Sequence, residues 1–368
     1  MNSTQRLFFI DNLRVLLIFL VVAFHAAAPY AEVPWYTIPP QATPLSAFVL
    51  SWLLAVCGAF FLSLFFMIAG YFTPHSYDLK GARVFWRDRL VRLGIPFVVF
   101  FLGVMPLFSY TLHVMDTPGN TLGYWEFLAS HYHWETHHLW FLSTLLILTG
   151  GYGLWRLVSR EPEGNLSPPG NFQILAFVVL LSMTTFLVRI WCPVGRWDPL
   201  KLVEPAYLPQ FGGLFMIGII AYRRQWMATI PTSVGQTWLR IGLASALLFP
   251  VVYVASKGEY TVLIGKFRWQ PFVFSVWEVF VCVGLCVGLV ILFRERAATQ
   301  KELGKILAAD TYSVYLVHLP VVVSLQRALI DVNIHPLSKF ALVVLMGVPL
   351  SFLAGHYMRK LPCAKRIL

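Results

Sequence analysis

Long apolar stretches recur along the whole chain, separated by short polar connections. A bilayer core of about 30 Å needs roughly 20 mostly apolar residues per crossing helix. On that measure the pattern predicts ten crossings: Leu7–Tyr30, Ala47–Phe72, Leu93–Val114, Leu139–Val158, Phe172–Trp191, Ala206–Tyr222, Leu239–Ala255, Phe272–Phe293, Ile306–Ile330 and Ser338–Met358. The connections hold most of the turn-forming residues, such as Pro34, Pro39 and Pro40, and the run from Glu161-Pro162-Glu163-Gly164 through Pro168-Pro169-Gly170. Ala206–Tyr222 is the weakest span, because Pro209 and the Gly212-Gly213 pair interrupt it. The expected fold is all-α, a polytopic transmembrane helix bundle. Residues 1–368 are expected to form a single membrane domain, since no connection is long enough for a separate soluble one and no internal repeat is visible.

Composition narrows the class further. Hydrophobic residues make up 58% of the chain and charged ones only 12%, against about a quarter charged in soluble domains. That leaves too little polar surface for a water-soluble globule, and excludes disordered and coiled-coil readings. Five cysteines in 368 residues make no disulfide framework and show no zinc spacing. Cys282 and Cys286 read as small packing residues inside an apolar run.

The net charge of +11 would suggest nucleic acid if it were clustered on a soluble face. Instead, nineteen of the 28 Lys and Arg fall on one side of the predicted topology, in Arg6, the Lys80–Arg92 loop, Arg156/Arg160, Arg223/Arg224/Arg240, Arg294–Lys305 and the tail from Arg359. The loops around Glu32 and around His131–His138 hold none. The positive-inside rule therefore places both termini in the cytoplasm, and no nucleic-acid partner is needed to explain the charge. Arg6, the apolar run and Ala26-Ala27-Ala28 resemble a signal peptide, but Asp11 and Arg14 interrupt its front half. The first helix is expected to remain.

Charges inside a membrane helix cost several kcal/mol and mark pathways or sites. The first span holds Asp11, Arg14 and His25. Arg14 and His25, at 100° per residue, differ by only about 20° in direction and lie roughly 16 Å apart along the axis. Asp11 is one turn from Arg14 and is its natural ion-pair partner. The pattern predicts a tunnel with a cation at its inner mouth and a proton acceptor near its outer end. The plainer alternative is that Arg14 snorkels to headgroups and His25 bonds a neighbouring helix. His318, in the ninth span, is expected at a similar depth, and Glu278, in the eighth, would either balance a histidine or bond another helix. Arg89 and Arg92 are i,i+3 neighbours whose forked donors suit phosphate. His131, His133, His137 and His138 lie among Trp125, Trp134 and Trp140. No His-Glu-x-x-His pattern accompanies them, so no metal is expected; the tryptophans are suited to an interfacial belt or to stacking on sugar rings.

Five blocks then stand out in order: Arg6-Leu-Phe-Phe-Ile-Asp11-Asn12-Leu-Arg14 with Phe24-His25, Phe65-Phe66-Met67-Ile68-Ala69-Gly70-Tyr71-Phe72, Arg89-Leu-Val-Arg92-Leu-Gly-Ile-Pro96, His138-Leu-Trp140-Phe-Leu142, and Tyr312-Ser-Val-Tyr315-Leu-Val-His318. Together they resemble the acyltransferase-3 family of integral membrane acyltransferases, and most of all its glucan biosynthesis protein C branch of succinyltransferases. The resemblance implies a multi-pass enzyme of the bacterial inner membrane. It would move an acetyl or succinyl group from cytoplasmic acyl-coenzyme A, a co-substrate rather than a resident cofactor, to a hydroxyl of an extracytoplasmic carbohydrate. The family's essential Arg and His map to Arg14 and His25, and its Arg-x-x-Arg motif to Arg89 and Arg92. His138 and His318 map to later blocks, with Asp11, Trp140, Glu278 and Tyr315 expected around the cavity or on the acceptor side. His25 would act as general base, or as a nucleophile forming an acyl-imidazole. Some relatives carry an SGNH hydrolase-like domain after the membrane part; here any step assigned to that domain is expected to be absent or to fall to a separate periplasmic protein. Ten helices with buried His and Arg also suit a secondary transporter or flippase, although no inverted repeat supports that class.

Overall fold

The structure is a computed structural model describing residues 7–31, 33, 38–117, 119–159, 167–256 and 262–367. Arg6, Glu32, Pro34, Arg160, Lys257 and the Glu161-Pro162-Glu163-Gly164 connection lie outside the described residues. Helices dominate throughout, and the chain is a multi-pass membrane bundle. In order they are α1 (Phe8–Ala27), α2 (Pro44–Arg89), α3 (Ile95–Val99), α4 (Met105–Asp116), α5 (Tyr124–Ser130), α6 (Trp140–Val158), α7 (Asn171–Trp191), α8 (Leu208–Arg223), α9 (Trp226–Thr229), α10 (Thr232–Leu247), α11 (Phe249–Ala255), α12 (Trp269–Arg296), α13 (Glu302–Ala328) and α14 (Pro336–Lys360).

Among the described residues, nine helical runs are long and apolar enough to cross a membrane, and one of these, Pro44–Asp116, has 73 residues. A straight helix of that length would reach about 110 Å, several times the bilayer core. It turns back instead. Gly81 breaks α2 with φ 72° and ψ 167°, a conformation in which a side chain would clash. Phe72 and Leu93 line the same cavity, whereas an unbroken helix would set them roughly 32 Å apart. The run is therefore two crossings, matching the second and third predicted spans, which makes ten among the described residues.

Several boundaries differ from expectation for local reasons. The α2 helix starts three residues early because Thr43 and Ser46 form a reciprocal capping box, with Pro44 in the first turn. The third crossing is not one regular helix: π-helical turns occupy Leu90–Gly94 and Phe100–Val104. Each lies just before or around a proline position, Pro96 or Pro106, where the missing N–H disturbs the ladder. The seventh crossing begins at Thr232 rather than Leu239, and it breaks at Leu248, ahead of Pro250.

The first helix sits centrally, packed on α2, α12, α13 and α14. On the perimeter, α14 turns Leu345, Met346, Leu353 and Tyr357 outward, the apolar surface expected against lipid. The tightest contact joins α2 to α8. A Cβ on Gly218 would lie 2.0 Å from the Met67 carbonyl oxygen, and one on Gly70 2.1 Å from that of Phe215. Small residues let two membrane helices meet backbone to backbone. Gly218→Val is therefore expected to destabilise the bundle by about 1–3 kcal/mol or more, read as a lower unfolding midpoint in detergent. An unchanged midpoint would show that α8 can move away at little cost.

Candidate active site

The site starts with α1. Asp11 and Arg14 approach to 3.7 Å, with side chains 15% and 35% exposed. Asn12 holds this end of the helix in place: its amide donates to the carbonyls of Ala297 at 2.8 Å and Thr299 at 3.0 Å, and its oxygen accepts from Gln300 at 2.8 Å. Near the other end, His25 Nδ1 lies 2.8 Å from the Val21 carbonyl oxygen. A carbonyl can only accept, so Nδ1 carries the proton and the imidazole lone pair is on Nε2.

His318 reaches the same place from α13. Its Nδ1 donates to the Tyr315 carbonyl at 2.6 Å, which leaves Nε2 as an acceptor. That Nε2 faces His25 Nδ1 at 3.3 Å, so the His25 N–H is shared between Val21 and His318. The two rings are 4.8 Å apart at their centroids. A third ring, His138, stands 5.2 Å from His318 in an edge-on arrangement. Its Nε2 donates to the Leu316 carbonyl at 3.1 Å. Both His138 and His318 are buried.

The sequence of α13 explains why that carbonyl is available. Leu316 would ordinarily accept from the N–H four residues later, but that residue is Pro320, which has none. His138 supplies the missing donor. The Tyr315 hydroxyl returns a bond to the His138 carbonyl oxygen, so the 3-10 turn His137–Leu139 is tied to α13 in both directions.

The same device recurs in the arginine motif. Pro96 cannot donate to the Arg92 carbonyl four residues before it, and the Tyr312 hydroxyl donates there instead at 2.5 Å. This bond fixes α13 against the turn that presents Arg89 and Arg92. The Arg89 guanidinium lies over the Phe85 ring at 5.0 Å, and its Nε is buried with no acceptor among the described residues. Neither Arg89 nor Arg92 has an ion-pair partner among the described residues.

A cavity of about 460 Å³ connects these parts. Asp11, Arg14, Arg89 and Arg92 line one end, where Arg92 is exposed. Val21 and Tyr315 line it too, and they are the residues whose carbonyls hold the His25 and His318 rings. The cavity thus runs from three arginines to within about one helical turn of the imidazoles, some 6 Å along α1.

Not every expected residue joins this site. Glu278 does not balance a histidine. It is buried against Arg189 at 2.6 Å and accepts from Gln210 at 2.8 Å, the helix-to-helix alternative. Trp140 packs edge-on to Trp197 and on Phe211, with centroids 5.7 and 5.8 Å apart, and does not line the cavity. Of the loop histidines, only His138 is drawn in; His131 stacks on Phe127 and bonds Ser130. Tyr312 was not singled out in the sequence, although the proline four residues after Arg92 signalled a carbonyl in need of a donor. Asp310 was also missed: it is buried and binds both His356, at 2.8 Å, and Arg359, at 2.7 Å, joining α13 to α14. A carboxylate inside a predicted membrane span was the available signal.

Residues 7–356 match the family model described as an acyltransferase domain. Relatives include the glucans biosynthesis protein C of Salmonella paratyphi B, 28% identical over 195 residues, which is 50% of this chain and 47% of the relative. That of Salmonella heidelberg is 30% identical over 197 residues, with the same shares. The match therefore spans about half the length of these relatives. No solved structure matches the chain. With nearly all of its described helices inside the matched region, the chain belongs to this acyltransferase domain family.

Proposed function

We propose that this protein is a membrane O-acyltransferase that takes an acyl group from acyl-coenzyme A and transfers it to a carbohydrate hydroxyl on the opposite side of the inner membrane. The observation that carries the reading is the cavity, with three arginines at one end and the His25–His318 pair just beyond the other. Coenzyme A phosphates suit Arg89, Arg92 and Arg14, and the thioester arm follows the cavity toward His25. The acceptor hydroxyl oxygen attacks the thioester carbonyl carbon while His25 Nε2 takes its proton. When the tetrahedral adduct collapses, the carbon–sulfur bond breaks and the same proton passes to the departing thiolate. His318, by accepting a hydrogen bond from the His25 Nδ1–H, is a positioning residue that favours the tautomer with the lone pair on Nε2. The carbohydrate acceptor is supported by the name of the Salmonella relatives, glucans biosynthesis protein C.

The basic residues orient the protein. Arg14, Arg89 and Arg92 belong to the Lys/Arg-rich side, which the positive-inside rule assigns to the cytoplasm, where acyl-coenzyme A is made. Single-cysteine labelling at Lys80 and Asn120 in intact cells should give opposite results, with Asn120 accessible from outside. Labelling of both from one side would contradict the orientation and the donor–acceptor geometry together. The activity itself is tested with purified protein in liposomes, supplied with radiolabelled acyl-coenzyme A and a soluble β-glucan. Labelled glucan without net solute flux is expected; flux without acyl transfer would favour a transporter.

A further inference from the structure

At the end of the bundle away from the arginines, a lysine is buried beside a second cavity. Lys339 lies in the first turn of α14 and is only 6% exposed. It lines a cavity of about 430 Å³ between the loop that follows α13 and the segment that precedes α2. Its Nζ donates to the Gln41 side-chain oxygen at 2.6 Å and to the Ile330 carbonyl at 3.0 Å. Both partners are neutral. Among the described residues no carboxylate pairs with Lys339, so the ammonium keeps a third hydrogen and a charge that nothing balances. A buried cation is costly until an anion and further hydrogen bonds meet it.

The course of α14 indicates where that anion comes from. Its 25 residues extend about 37 Å, enough to cross the hydrocarbon core with both ends at the interface. At 100° per residue, Met346, Leu350, Leu353 and Tyr357 fall within about 40° of the direction of Lys339 around the helix. All four are exposed. Lys339 therefore stands at the head of a lipid-facing strip, roofed by the two loops that form the cavity. An anion on Lys339 with hydrocarbon running down Met346 and Leu350 is a phospholipid, its phosphate in the cavity and an acyl chain along the helix.

The other charge in the wall selects the headgroup. Asp331 lines the same cavity, is exposed, and has no ion-pair partner among the described residues. One cation and one anion side by side match a zwitterion, with phosphate on Lys339 and ammonium on Asp331. A phosphoglycerol headgroup would satisfy the lysine and be repelled by the aspartate. We infer that this cavity holds the headgroup of an ethanolamine phospholipid from the leaflet on its side, the outer one in the orientation given above. The acyl-transfer reading plays no part in this, so either can fail alone.

Native mass spectrometry of the full-length protein tests it, after delipidation in detergent and titration with dioleoylphosphatidylethanolamine or dioleoylphosphatidylglycerol. Wild type is expected to bind one ethanolamine lipid in preference to the glycerol lipid. Lys339→Met should bind it about 10-fold more weakly or worse, the worth of one charge-assisted hydrogen bond. Asp331→Asn, a change at an exposed loop position, should erase the preference for ethanolamine over glycerol. Glycerophosphoethanolamine, the headgroup without its chains, should compete only at about 100-fold higher concentration or more, because it buries no hydrocarbon. Equal binding by wild type and Lys339→Met, or a wild-type preference for the glycerol lipid, would overturn the inference. So would competition by glycerophosphoethanolamine at lipid concentrations, which would make the ligand a soluble phosphate ester. An unchanged preference in Asp331→Asn would overturn the zwitterion whether or not Lys339→Met folds.

Discussion

His25→Gln is expected to lower acyl transfer by about 10²–10⁴-fold at normal expression, the usual worth of a positioned general base. Glutamine keeps a side chain that can bond the Val21 carbonyl, but it cannot take a proton from the acceptor hydroxyl. Donor affinity should change little, because the cavity ends before the imidazole. Wild-type turnover should rise with pH as the imidazole loses its proton, since only the neutral ring is a base, and it should level off above that transition. The His25→Gln residual rate should lack that step. His318→Ala should reduce kcat only in part and leave KM for the donor near its original value: the Val21 carbonyl still accepts the Nδ1 proton, while the second acceptor, at 3.3 Å, is gone. Substantial turnover by purified His25→Gln would sink the general-base mechanism. A loss in His318→Ala as complete as that in His25→Gln would leave either ring able to be the base.

The other large effect is expected on the donor side. Replacing Arg89 and Arg92 together with Ala should raise KM for acyl-coenzyme A by about 100-fold or more, since each charge-assisted phosphate contact is worth about 1.5–3 kcal/mol. The double Lys variant should recover only part of this. Lysine restores the charge but not the flat fork, and it loses the stacking of Arg89 on Phe85. The protein should still insert, because Lys80, Arg83 and Arg87 remain in the same segment. Wild-type donor KM in the Ala variant would reduce both arginines to topology signals. Tyr312 offers a finer control: its hydroxyl holds the Arg92 carbonyl at 2.5 Å, so Tyr312→Phe should show a milder defect of the same kind.

The two prolines give these motifs a common logic. Pro96 and Pro320 each remove one helical donor, and each orphaned carbonyl is met by a side chain from another element: Tyr312 from α13 in the first case, His138 from the 3-10 turn in the second. In a bilayer, where water cannot reach, a buried carbonyl such as that of Leu316 needs a protein donor. The arginine turn, α13 and the His138 turn are thereby fastened into one frame around the cavity.

Sequence alone determined the class of molecule, because hydrophobic length and scarcity of charge are local properties that the bilayer reads directly. It determined nearly every span, and placed Arg14 and His25 on one face with Asp11 one turn from Arg14, because helical geometry converts spacing into direction. It did not locate the reversal at Gly81 or the π turns of the third crossing, where backbone conformation rather than hydropathy decides. Pairings between distant helices also lay beyond it. Glu278 was equally compatible with a histidine or another helix until the fold set it against Arg189 and Gln210. The block around His138 had set it apart from the other loop histidines, but only the fold supplied its partner, the carbonyl freed by Pro320. A buried polar group takes the partner that tertiary packing brings within about 3 Å, and that choice between chemically equal candidates is made by where helices cross, which no local pattern encodes.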